Sequence, residues 1–80
     1  MTIINAQEAL NKFEMLTPRQ REVAVMLANG RRNKEVAASL GMSGRTVEVH
    51  RANILRTLGV NGNAQLAVLV CRAGMLDGAA

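Results

Sequence analysis

Six basic side chains, Arg31, Arg32, Lys34, Arg45, Arg51 and Arg56, share residues 31–56 with two acids, Glu35 and Glu48. The 80-residue chain carries a net charge of +4, and this stretch alone sums to +4. Residues 1–16 sum to −1, residues 17–30 to +1 and the remainder to zero. A solvated helix face mixes the two signs more evenly. A concentrated positive stripe is the electrostatic footprint of a phosphate-bearing partner. Other chemistries find few residues to work with. One histidine, His50, and one cysteine, Cys71, fall short of the three or four ligands that zinc takes, so no metal is expected. No nucleophile–base pair and no carboxylate pair in a cleft can be named, so neither an enzyme nor a cofactor is expected. His50 borders an apolar stripe and reads as a core residue rather than a base or a pH switch. Cys71 lies in a nearly all-apolar segment and reads as an inert packed thiol.

Those side chains need elements to hold them, and the composition favours helices. Tyr and Trp are absent and Phe occurs once, while half the chain is apolar (49%) and a fifth is charged (20%). Ala, Leu, Met, Arg, Glu and Gln, all good helix formers, dominate. The expectation is one small all-α domain of four helices over residues 16–76. Residues 1–15 precede it as a short extra helix or a linker, and 77–80 follow as a disordered tail. No apolar run approaches the length of a membrane span, and no secretory signal is expected at the N-terminus. A single cysteine excludes an intrachain disulfide and fits the reducing cytoplasm.

Thr17-Pro18-Arg19-Gln20 is the firmest start signal: a threonine cap, proline at the first helical position and glutamine three after the cap. That helix stops at Asn29-Gly30. A second starts near Asn33, read as its cap, and ends at Gly41. Ser43 caps a third, whose buried stripe is Val47, Ile54, Leu55 and Leu58, and Gly59 ends it. A fourth runs from about Asn63 to Arg72. Two crossing helices need a small residue where they approach, which Ala37 supplies. The turn between them needs a residue that accepts positive φ, which Gly41 supplies. This is the spacing of a helix-turn-helix, whose second helix enters the major groove of DNA.

The stretches LTPRQREV (16–23) and NKEVAASLGMSGRTVEVHRANILRTLGV (33–60), with the apolar last helix, resemble the LuxR-type DNA-binding domain of the NarL/FixJ group. RTVEVHRAN (45–53) is the most specific segment and looks especially like the FixJ side of that group. The resemblance covers Leu16 to Val70. It implies a bacterial, cytoplasmic transcription regulator, a four-helix domain and dimeric binding to double-stranded DNA. It leaves open whether a receiver domain belongs upstream or the chain is an autonomous regulator. The chain departs from the family pattern at Gln20 (usually Glu), Ala24 (usually Leu), Thr57 (usually basic) and Asn63 (usually Arg). Gln20 can still close a capping box, and Thr57 removes one candidate backbone contact.

On the third helix Arg45, Glu48, Val49, Ala52 and Arg56 fall opposite the apolar stripe, at spacings of three and four. They are the candidate base contacts. Arginine bonds guanine bidentately, a glutamate accepts from cytosine N4, and valine or alanine packs a thymine methyl. Glu48 has a second reading, as an exposed partner of Arg45 or Arg51. Arg31, Arg32, Lys34, Ser43, Thr46 and Arg51 are the candidate phosphate contacts. Helix four leaves little polar face, so Ala64, Ala67, Val68 and Cys71 are assigned to a self-association surface that makes a homodimer. A charge at either Val68 or Leu69 is expected to weaken that surface and leave a folded monomer. Two other functions stay open: a module that binds a protein partner through helix four, and a fragment like sigma region four that contacts RNA polymerase.

Overall fold

A computed structural model describes residues 5–76; the tail expected at 77–80 lies outside the described residues. Five helices follow one another: α1 (Ala6–Glu14), α2 (Pro18–Ala28), α3 (Asn33–Leu40), α4 (Gly44–Leu58) and α5 (Asn63–Arg72). The described residues hold no strand. The four helices read from the sequence are α2 to α5, and the extra N-terminal helix is α1. No single described helix is long and apolar enough to cross a membrane.

Local chemistry sets the boundaries. At the start of α2 the Thr17 hydroxyl accepts from the Gln20 amide at 3.1 Å, and Gln20 Oε1 accepts from the Thr17 amide at 3.0 Å. Glutamine therefore closes the capping box as expected. At α3 the structure moves the cap. Arg32, not Asn33, is the N-cap, and its backbone N–H donates to Glu35 Oε1 at 2.8 Å. An arginine side chain has no acceptor to offer, so Glu35 supplies the whole cap from inside the helix. Gly41 ends α3 at φ 65°, and the Met42 amide donates back to Ala37 O at 3.0 Å. This wrapped C-terminus demands the left-handed conformation, which glycine adopts without a Cβ clash.

One core joins the helices. Val23, Ala24 and Leu27 of α2, Val36 and Ala37 of α3, Val47, Ile54 and Leu58 of α4, and Leu66, Leu69 and Val70 of α5 are all buried. Leu55, expected in that stripe, is half-buried and packs on its edge. α1 adds Ala9 and Phe13, and Leu16 follows from the turn. α2 packs against α5, α3 and α4, while α1 lies chiefly on α5. Two arginines stitch the turns. Arg21 donates from Nη2 to Glu14 O at 2.8 Å, and Arg19 from Nη2 to Leu40 O at 3.3 Å. Both place a cation at the carbonyl end of a helix, where the helix dipole favours it.

Three sequence expectations are corrected. Cys71 is exposed rather than packed. His50 is half-buried on the flank of α4 and outside the core. Leu69 is 3% exposed, so it belongs to the core and not to the outer face of α5. For Cys71 and Leu69 the nearly all-apolar α5 offered too little polar contrast to tell one face from its neighbour, whereas His50, three residues after Val47 and four before Ile54, sits at the edge of a well-marked stripe.

Candidate nucleic-acid interface

The site is built from α3, its turn and α4. Val47, Ile54 and Leu58, at spacings of seven and four, are fully or almost fully buried and fix the rotation of α4 about its axis. The opposite side is thereby turned outward: Arg45, Glu48, Val49, Ala52 and Arg56 are all exposed. Val49 is 46% exposed among charged neighbours, an apolar side chain with no core to join. Glu48 Oε2 lies 3.5 Å from Arg45 Nη1, a loose surface pair of the kind that contributes little to stability. Arg56 Nη1 donates to Asn53 Oδ1 at 3.0 Å, one helical turn back.

The candidate phosphate-holding residues lie around this face. Arg31, Arg32 and Lys34 are exposed at the entry to α3. At the start of α4 the Ser43 hydroxyl caps the Thr46 amide at 3.0 Å, and the two hydroxyls share a hydrogen bond of 2.9 Å. Both therefore have a structural task at the cap. Arg51 is half-buried, and its Nε donates to Asn63 Oδ1 at 2.8 Å. Sequence reasoning missed Asn53 and Asn63 as partners of these arginines. The Asn53–Arg56 spacing of three was a usable signal. Nothing in the sequence joined Arg51 to Asn63. Gln20 and Asn63, which depart from the family pattern together, find separate partners in Thr17 and Arg51.

On α5 the buried Leu66, Leu69 and Val70 define the inner side. Ala64, Val68 and Cys71 are exposed and Ala67 is half-buried, so the four residues assigned to self-association share the outer side. Val68 is 43% exposed.

Fold and surface together define a helix-turn-helix domain that presents one face of its longest helix and a surrounding positive charge. The family described as "Bacterial regulatory proteins, luxR family" matches residues 14–70, and the chain belongs to that family. It is 51% identical over 59 residues to the transcriptional regulatory protein UhpA of Salmonella typhimurium, covering 74% of this chain and 30% of UhpA. It is 40% identical over 63 residues to the spore germination protein GerE of Bacillus subtilis, covering 79% of this chain and 85% of GerE. Full-length FixJ from B. japonicum superposes with a TM-score of 0.80 at 39% identity, over 90% of this chain and 36% of FixJ. The chain thus spans about a third of UhpA and FixJ and matches most of GerE. The family is one of bacterial regulatory proteins, and UhpA and FixJ are transcriptional regulatory proteins. The chain is a LuxR-type DNA-binding domain.

Proposed function

We propose that this chain binds double-stranded DNA with sequence preference to control transcription, inserting α4 into the major groove as a homodimer on inverted half-sites. The observation that carries the reading is the outward row Arg45, Glu48, Val49, Ala52 and Arg56 on a helix whose other side is locked into the core. Arg45 and Arg56 suit guanine, Val49 and Ala52 suit a thymine methyl, and Glu48 suits cytosine once its loose pair with Arg45 opens. Arg31, Arg32, Lys34, Ser43, Thr46 and Arg51 would hold the flanking backbone. Phosphate contacts fix register without carrying sequence information.

The homodimer reading rests on the outer side of α5. Two copies pairing through Ala64, Ala67, Val68 and Cys71 would set their recognition helices about 34 Å apart, one turn of DNA. A patch of small residues buries little area, so the dimer is expected to form chiefly on DNA. RNA polymerase, and a receiver domain either upstream in the same protein or separate, are further partners compatible with this function, as is an autonomous regulator without a receiver. The experiment is selection of sites from a random duplex library, followed by an anisotropy titration on selected and random duplexes. Enrichment of an inverted repeat and tighter binding to it support the reading. Equal binding to every duplex contradicts it.

A further inference from the structure

Among the described residues, Arg51 is the one basic side chain of the 31–56 stretch that is hydrogen-bonded to a different helix. Its Nε donates to Asn63 Oδ1 at 2.8 Å, from the middle of α4 to the first residue of α5. A guanidinium is a planar fork of five N–H donors. With Nε engaged, four donors remain on the two Nη nitrogens, enough for a bidentate grip on a phosphate. An untethered arginine must give up the freedom of several torsions when it takes such a ligand. Here the tether has already restricted them. Asparagine is also neutral, so it holds the guanidinium without cancelling the charge that a phosphate would seek.

We infer that Asn63 is a positioning residue for DNA binding: it holds Arg51 so that the two Nη nitrogens meet a backbone phosphate with little further ordering. The inference rests on the reading of Arg51 as a phosphate contact. Asn63 itself touches no DNA in this account and acts through Arg51 alone.

The test is a double-mutant cycle on the full chain, with anisotropy titrations of a library-selected duplex at several salt concentrations. Asn63→Ala should weaken binding about two- to tenfold per subunit, the cost of ordering one long side chain. It should leave the salt slope unchanged, because Arg51 still neutralises its phosphate. Arg51→Ala should flatten the slope by about one unit per contact. Adding Asn63→Ala to Arg51→Ala should then cause no further loss. In the free protein, the Arg51 Nε–H signal should exchange slowly with solvent and lose that protection in Asn63→Ala. Asn63→Ser is also too short to reach Arg51 and keeps a small polar side chain at the first residue of α5, so it carries the test if the alanine variant fails to fold. An unprotected Nε–H, unchanged affinity in Asn63→Ala, or an equal loss with and without Arg51 would overturn the inference. A wild-type chain that binds DNA while Arg51→Ala leaves the slope unchanged would instead overturn Arg51 as a phosphate contact. The protected Nε–H would then show the tether to be structural only.

Discussion

Val68 and Leu69 are neighbours in sequence with opposite fates, and replacing each by aspartate tests the placement of α5. Leu69 is 3% exposed and Val68 is 43% exposed. Removing a buried leucine side chain costs about 2–5 kcal/mol in the leucine-to-alanine case, and a carboxylate in the same place adds the penalty of an unpaired buried charge. A domain of this length is stable by about 4–12 kcal/mol in all. Leu69→Asp should therefore unfold the chain or lower its melting temperature by tens of degrees, at about 4–8 °C per kcal/mol. Val68 forfeits only the buried half of a side chain worth about 1.5–3 kcal/mol when fully covered. Val68→Asp should cost about 1 kcal/mol and remain folded. Melts followed by circular dichroism read the first effect, and sedimentation with and without DNA reads the second. Only Val68→Asp should give a folded chain that binds DNA without pairing. Similar melts for the two variants would refute the orientation of α5. A wild-type chain that stays monomeric at high micromolar concentration and also on DNA would refute the homodimer.

Ala37 is 7% exposed where α3 packs on α4. Ala37→Leu should cost about 1–3 kcal/mol by overpacking, and a melt unchanged within error would contradict that placement. Thr17→Ala removes the acceptor for the Gln20 amide and should cost about 1 kcal/mol, read as a parallel shift in urea midpoint.

What could be read ahead of the structure was local. The Thr17–Gln20 box and the turn at Gly41 are decided by residues within one helical turn, and both stand as expected. The rotation of α4 was also legible, because Val47, Ile54 and Leu58 contrast with charged residues at the intervening positions. Polar contrast was missing on α5, so Leu69 was placed outside and Cys71 packed, the reverse of what packing against α1 and α2 produces. α1 read weakly because its inner stripe reduces to Ala9 and Phe13. At α3 Asn33 reads as the cap, and the reach of Glu35 back to the Arg32 amide moves the cap one residue earlier. The outward row on α4 came from spacing, whereas the bond from Arg51 to Asn63 depends on how the α4–α5 turn folds back. No periodicity reports a contact of that kind.

The central claim is that one surface both grips phosphates and reads bases, and a salt-resolved titration on a library-selected duplex tests it most directly. If about four of the six basic side chains in 31–56 reach phosphate in each of two subunits, log K should fall with log salt at a slope of roughly −7. Replacing Lys34 by alanine should flatten that slope by about two units per dimer and weaken all duplexes alike. Replacing Glu48 and Val49 together should leave the slope nearly intact and change which bases are preferred, by about 1–3 kcal/mol for each good base contact. A slope near zero, or identical base preferences after both replacements, would contradict groove reading by α4.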